Sequence, residues 1–120
     1  MYAHKKLDIW KDSMILVENV YLITSGFPKS EMFGLSNQIR RSAVSIPANI
    51  SEGAARNSPK EFIRFIRFSY GSLSELETHV EISYRLKFID ENTFIMLQNK
   101  MKKISSQLSG LIRSLETKTT

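Results

Sequence analysis

Residues 91–116 read ENTFIMLQNKMKKISSQLSGLIRSLE, and this stretch decides the fold class. Its apolar residues recur at spacings of three and four, at Phe94, Leu97, Met101, Ile104, Leu108, Leu111 and Leu115. This spacing places them along one side of an α-helix, which turns once every ~3.6 residues. Asp90, Glu91 and Asn92 are expected to supply a cap and negative charge at the start of this helix. The pattern predicts an amphipathic helix over about residues 91–116, whose apolar side needs partner helices.

A second amphipathic segment lies near the N-terminus, over about residues 7–26. It carries two apolar stripes instead of one. The first comprises Leu7, Trp10, Met14, Val17, Tyr21 and Thr24, and the second comprises Ile9, Leu16, Val20, Ile23 and Phe27. Asp8 or a neighbour is the expected cap. Gly26-Phe27-Pro28 is the expected stop, because glycine relaxes the last turn and proline cannot continue a helix.

The third predicted helix covers about residues 59–87. Ser58, Pro59 and Glu61 mark its start, since they fit the N-cap, the first helical position and the N3 position of a capping box. A continuous apolar seam follows, along Phe62, Ile66, Ser69, Leu73, Leu76 and Val80. At 1.5 Å per residue, such a helix is roughly 40 Å long and can span the whole domain.

The remaining segment, residues 33–55, keeps the helical period less cleanly. The period is carried by Ile39, Ala43, Ile46 and Ile50. Pro47 interrupts the pattern, because its ring removes a backbone donor and crowds the carbonyl group of Ala43. We therefore predict a kink or a break near Ser45 and Ile46.

The connections between the four helices are short, near residues 27–31, 56–59 and 88–91. Short connections favour antiparallel neighbours, and no stretch shows the period-two alternation that indicates a strand. These patterns predict an all-α fold. We expect one domain over residues 1–120, an antiparallel up-and-down four-helix bundle whose second helix is kinked at Pro47.

The third helix carries more large apolar residues than one face can hold. Six fall within nine residues, at Phe62, Ile63, Phe65, Ile66, Phe68 and Tyr70. Steps of about 100° per residue spread them around the helix. Since the first helix also has two stripes, we expect the chain to self-associate and bury the surplus between copies.

The composition is typical of a packed protein and is compatible with a reducing compartment. Hydrophobic residues make up 42% of the chain and charged residues 24%. The lack of cysteine excludes disulfides, thiolate metal sites and a cysteine nucleophile. The first residues lack the apolar core of a signal peptide, and no apolar run approaches the ~20 residues that cross a bilayer. We therefore expect a cytoplasmic protein with no membrane partner.

The sequence gives little support for catalysis. Ser51 and Ser72 lie in helical patterns and lack the strand-to-helix turn that presents a serine in hydrolases. His79 follows Glu75 by one helical turn, but a di-metal bundle needs Glu-x-x-His on two helices, and this chain has neither copy. No glycine-rich loop matches a phosphate fingerprint. We predict no enzymatic activity, no cofactor and no metal; a carboxylate-bridged metal enzyme would require bound iron or manganese.

A group of basic residues is the best functional candidate. The chain carries a formal charge of +5, and residues 40–67 hold six basic residues against two acidic ones. The six are Arg40, Arg41, Arg56, Lys60, Arg64 and Arg67. Residues 60, 64 and 67 share one helix face, and residue 40 or 41 could reach the same side from the antiparallel second helix. Arginine suits bidentate phosphate contacts, so the group predicts a nucleic-acid footprint.

A less specific interpretation of these charges stays open. The same residues fit a solvated face, or arginines paired with Glu52, Glu61 or a neighbouring subunit's carboxylates between Glu75 and Glu81. In that case the protein is an interaction scaffold whose basic residues are ion-paired at subunit interfaces.

The run from Phe33 to Gly53, FGLSNQIRRSAVSIPANISEG, resembles the signature of the four-helix-bundle proteins encoded in intervening sequences of bacterial 23S ribosomal RNA genes. Shorter stretches at 8–11, 60–65 and 71–78 are similar to the same family, so that the resemblance spans about residues 7–115. It implies a four-helix bundle that assembles as a homopentameric barrel, and it supplies no established enzymatic activity.

A related branch of proteins, the accessory proteins of diversity-generating retroelements, is similar in fold. That similarity implies binding to nucleic acid and to a reverse transcriptase through a basic surface, with the signature arginines at Arg40 and Arg41. Inside the motif, Pro47 is expected to kink a continuing helix, with Asn49 and Glu52 available to bond the freed backbone or an adjacent chain. Two functions remain open: a homo-oligomeric bundle that binds RNA or a nucleic-acid–protein complex through phosphate contacts, and the ion-paired scaffold.

Overall fold

The amphipathic segments fold against one another as four α-helices in a computed structural model, which describes residues 4–118. The first helix, α1, spans Asp8–Thr24; α2 spans Leu35–Ala54, α3 spans Pro59–Arg85 and α4 spans Glu91–Glu116. Single 3-10 turns at His4–Lys6 and Lys29–Glu31 precede α1 and α2. No strand forms within residues 4–118, so the predicted all-α bundle is confirmed. In that same range, no helix combines the length and the apolar character needed to cross a membrane.

The helices pack in chain order around one core. Both α1 and α3 lie against α2 and α4, whereas no Cα atoms of the diagonal pairs of helices come within 8 Å of each other in the described part of the chain. The register of α2 and α3 is antiparallel: Ile46 lies level with Ser69, and Gly53, further along α2, lies level with Phe62, earlier in α3. The molecule measures 48 × 24 × 20 Å, in keeping with an α3 roughly 40 Å long.

The core contains the predicted apolar seams. It also shows which of the two apolar stripes of α1 is buried. The α3 seam from Phe62 to Val80 is buried throughout. In α1, the stripe through Leu16 and Val20 faces the core, while most of the stripe through Trp10 and Tyr21 stays half-buried or exposed. One helix cannot turn both stripes to the same core, because the apolar face of a core-facing helix covers only part of its circumference.

The second helix continues through Pro47, so the alternative of a break near residues 45 and 46 is wrong. Two side chains support the backbone at this point. The Asn49 amide Nδ2 donates to the Ser45 carbonyl oxygen at 2.9 Å, and the Ser69 hydroxyl donates to the Ile46 carbonyl oxygen at 2.8 Å. Asn49 donates a hydrogen bond to the backbone, as expected. It reaches the carbonyl group of Ser45, however, and not that of Ala43, to which Pro47 has no N–H to donate.

The helix ends follow the sequence closely at α3 and α4. The Ser58 hydroxyl accepts a hydrogen bond from the Glu61 backbone N–H at 3.2 Å, and the Asp90 carboxylate accepts one from the Thr93 N–H at 2.7 Å. The cap predicted at Ser58 is confirmed, and of the three residues predicted to cap the fourth helix, Asp90, Glu91 and Asn92, it is Asp90 that does so. Each satisfies a backbone donor that the first turn of a helix leaves without a partner.

The ends of α1 differ from the expectation. Leu7 occupies the N-cap position and no side chain caps the helix, so the cap predicted from Asp8 or a neighbour does not form. The helix ends at Thr24, and Gly26 does not adopt a positive φ, so the glycine is not used as a left-handed stop.

Candidate nucleic-acid interface

The first turns of α3 position most of the predicted basic group. Because Phe62 faces the core, Lys60, Arg64 and Arg67 fall on the opposite side of the helix, and all three are exposed. Arg56 is also exposed, in the turn that precedes α3. From residue 60 to residue 67 the helix rises only about 10 Å. Four of the six predicted cations therefore lie near one end of the bundle.

Two of these cations form ion pairs within the chain. The Arg56 Nη2 lies 3.1 Å from the Glu52 carboxylate, and the Arg64 Nη1 lies 3.5 Å from the Glu61 carboxylate. The side chains are 44–60% exposed, and such surface pairs contribute about 0–1 kcal/mol. Glu52, which was expected to bond backbone or an adjacent chain, is thus engaged with Arg56. Each guanidinium has five N–H donors, so neither pair exhausts its capacity for another anion.

The two guanidinium groups also lie over aromatic rings. The Arg56 Cζ is 4.9 Å from the centroid of the Phe65 ring, and the Arg64 Cζ is 5.4 Å from that of Phe68. The two rings meet edge to face at 5.5 Å and 89°. Phe65 is 8% exposed, whereas Phe68 is 46% exposed. From the sequence, Phe68 was predicted only to add to the surplus apolar surface, although its i,i+4 spacing from Arg64 is a detectable signal.

Arg40 does not join this group, which corrects the prediction. Its Nε donates to the Thr24 hydroxyl of α1 at 2.8 Å, and its guanidinium lies 4.6 Å from the centroid of the Tyr21 ring. The side chain is half-buried between α1 and α2, away from α3. Spacing could not decide this, because the partners of Arg40 lie 16 and 19 residues earlier in the chain.

Arg41 is exposed on α2 but lies apart from the cluster. Ile46 is level with Ser69, so Arg41 and Arg64 are displaced in opposite directions from that level. Five residues each way amount to about 15 Å along the bundle axis. Arg41 can therefore contact a large anionic ligand together with Arg64, but it does not share one phosphate with it.

Arg67 lies on the side of α3 that borders α4. It lines a shallow groove together with Tyr70 and Arg113. Hydrogen bonds to Ser105, at 2.9 Å, and Ser109, at 3.3 Å, fix the Tyr70 hydroxyl and lower its pKa. Arg113 was missed by the sequence analysis, since it lies 46 residues after Arg67 and only the fold brings the two to one groove.

Comparison with known proteins identifies the family. The sequence profile of the 23S rRNA-intervening sequence proteins matches residues 5–110. The chain belongs to this family. Among solved structures, this family member is similar to a protein of unknown function from the S23 ribosomal protein family of Bacteroides thetaiotaomicron. The TM-score is 0.81 at 24% identity, over 88% of this chain and 95% of the other, which shows a shared fold. Comparison with curated proteins gave no significant match.

The histidine and acidic residues of this 23S rRNA-intervening sequence protein form no metal-ligand set in the described part of the chain. Within residues 4–118, no three histidine or acidic side chains gather in a way that could hold a metal ion. Glu81, two residues after His79, pairs with Arg85 at 3.1 Å.

The basic end of this family member offers hydrogen-bond donors in a solvent-exposed arrangement. Guanidinium forks match the geometry of phosphate oxygens, and the Lys60 ammonium adds a point charge. Because this surface is exposed, an anion can reach it readily and keeps most of its hydrating water when it binds. The arrangement is suited to reversible contact with a polyanion.

Proposed function

We propose that this 23S rRNA-intervening sequence protein is a non-enzymatic, homo-oligomeric, cytoplasmic protein that binds RNA or a nucleic-acid–protein complex through phosphate contacts. The observation that carries the proposal is the exposed cluster of Arg56, Lys60, Arg64 and Arg67 on adjacent turns at one end of the bundle. Hereafter we call these four residues the basic cluster. Arg41 extends it towards the middle of the molecule, whereas Arg40 faces α1 and lies apart from the cluster.

The internal ion pairs do not remove the positive charge of the basic cluster. Lys60 and Arg67 have no carboxylate within ion-pair distance among the described residues. The pairs of Arg56 and Arg64 are exposed, so a polyanion that releases condensed counterions can compete with them. Contacts of this kind position a nucleic acid without reading its sequence, so we expect little sequence preference.

Apolar surface supports the homo-oligomeric part of the proposal. On α1, Ile15, Tyr21 and Leu22 are 46%, 44% and 75% exposed, beside the half-buried Trp10. Surfaces of this kind mark association sites more often than isolated apolar residues do. We take five as the expected number of subunits from the family resemblance, and a reverse transcriptase as a further partner if the gene lies in a retroelement.

A variant in which the basic cluster is replaced by alanine tests the proposal. We expect wild-type protein to bind a fluorescently labelled structured RNA at low salt, and the variant to lose at least about tenfold in affinity, since each phosphate contact contributes to binding. A matched control variant replaces four other exposed cations, Lys5, Lys11, Lys29 and Lys102, with alanine. The two variants then have the same net charge. Absence of wild-type binding, or equal loss in both variants, would contradict the proposal.

The ion pairs favour one alternative function. If Arg56 and Arg64 serve to order Glu52 and Glu61 for contact with another protein subunit, the protein is an interaction scaffold. That function predicts that the alanine variant changes the oligomeric mass measured by sedimentation and leaves RNA affinity unchanged. RNA binding predicts the reverse.

A further inference from the structure

An exposed aromatic ring lies inside the basic cluster. Phe68 is 46% exposed, and the edge-to-face contact with the buried Phe65 fixes its position on α3. A phenyl ring exposed to this degree contributes little to the core. Its position is held nonetheless, because the supporting Phe65 is 8% exposed and lies beside Gly53 of α2.

An arginine side chain lies close to this ring, on an exposed part of α3 that carries two further cations. The Arg64 guanidinium is 5.4 Å from the Phe68 centroid and 5.8 Å from that of Phe65, and Arg67 is the adjacent residue. Lys60 lies one helical turn before Arg64. The Glu61 carboxylate, on the same helix, is paired with Arg64. An exposed ring among cations matches a ligand with a flat apolar group between negative charges.

An unpaired nucleotide has that chemistry. Its base has a π-face that stacks on aromatic side chains and on arginine planes, and its flanking phosphates attract the cations. A continuous RNA duplex presents phosphates and riboses but keeps its base faces stacked inside, so Phe68 would have no role in binding one.

We infer that Phe68 stacks on an unpaired base while Arg64, Lys60 and Arg67 contact the phosphates on either side, so that the ligand of this surface is single-stranded or looped RNA and not a continuous duplex. The inference rests on the proposed function and specifies its ligand. Phe68 is then a binding residue, because its ring stacks on the base, and contacts between cations and phosphates do not provide this interaction.

The test compares Phe68→Leu with Phe33→Leu, which removes a ring that is 91% exposed in the turn before α2. The probes are an oligouridylate of about 12 nucleotides carrying one 2-aminopurine, and a duplex of similar length. We expect Phe68→Leu to weaken binding of the oligouridylate by about tenfold and to abolish the quenching of 2-aminopurine, because each stacked base contributes measurably. Affinity for the duplex should not change, Phe33→Leu should match the wild type, and Phe68→Tyr should keep the quenching.

Three outcomes separate the possible failures. If the wild type binds neither probe, the proposed function is wrong, and the inference fails with it. If both probes bind equally and Phe68→Leu has no effect on either, phosphate binding survives and base stacking is rejected. If Phe68→Leu lowers the oligomeric mass in sedimentation, a second copy of the chain covers the ring, and the inference is overturned.

Discussion

At the scale of single residues, Gly53 marks a close approach of α2 to α3. A Cβ at this position would lie 2.7 Å from the Phe65 Cβ and 2.9 Å from the Phe62 Cδ1. Gly71, in the exposed middle of α3, has no atom within 4 Å of the corresponding point. Gly53→Ala should therefore lower the free energy of unfolding by about 1–3 kcal/mol, because overpacking forces the helices apart.

Gly71→Ala is the matched control and should raise that free energy by about 0.5–1 kcal/mol, because alanine loses less backbone freedom in a helix. Urea denaturation measures both. Changes of the same sign would show that α2 and α3 do not pack as closely as described.

Lys87 is a residue whose backbone conformation favours glycine. It has a φ of 64° at the end of α3, where the N–H of Phe88 bonds the Ser83 carbonyl and that of Lys87 bonds the Tyr84 carbonyl, the two bonds of a Schellman motif. A left-handed conformation costs an L-residue energy that glycine does not lose. Lys87→Gly should raise the free energy of unfolding by about 0.5–1 kcal/mol in urea denaturation.

The control for Lys87→Gly is Lys102→Gly, which removes the same positive charge from a position inside α4. It should lower the free energy of unfolding by about 1 kcal/mol, since glycine is unfavourable inside a helix. A destabilising Lys87→Gly would argue against the left-handed turn.

At the scale of elements, α1 and α4 are joined by a polar contact that depends on pH. The Asp12 carboxylate accepts a hydrogen bond from Gln107 Nε2 at 2.8 Å and lies 3.3 Å from Lys103 Nζ. The hydrogen bond from Gln107, with smaller effects of Lys103 and Lys100, holds the pKa of Asp12 below its ordinary value of 3.8. Because the folded pKa is the lower one, the contribution is complete above the unfolded pKa and is lost as the pH falls through the folded pKa.

The corresponding variant is Asp12→Asn. At pH 6 it should be less stable than the wild type by about 1 kcal/mol, and the difference should shrink below about pH 4 in denaturation curves collected across pH. Gln107→Ala should lose part of the same pH dependence. A difference that stays constant or grows towards low pH would contradict this account of Asp12.

The helices differ in how far their sequences determine them. In α3 and α4, one apolar stripe and an explicit cap residue, Ser58 or Asp90, suffice to place the helix within about two residues. The ends of α1 also fall within two residues of the prediction, but two stripes compete and no side chain caps the start, so the buried face does not follow from local pattern. Arg40 is the corresponding case in the site, because partners on another helix decide which way its side chain turns.

At the scale of the whole molecule, the bundle separates its charges along its length and leaves apolar surface on α1 uncovered. The basic cluster occupies one end of α3, and acidic residues from Glu75 onward occupy the other half. Under the proposed function, copies associate through apolar faces while each presents cations to a common ligand. The family, the all-α fold and the four exposed cations follow from the sequence and structure together, whereas RNA as the ligand is our proposal from the chemistry of that end.

The salt dependence of RNA affinity tests this account most directly. For a short single-stranded RNA that contacts one protomer, four phosphate contacts predict a slope of about −3 in a plot of log affinity against log salt concentration. The slope should approach zero in the variant whose basic cluster is replaced by alanine. A wild-type slope near zero, or a slope unchanged in that variant, would contradict the claim that these four cations bind nucleic acid.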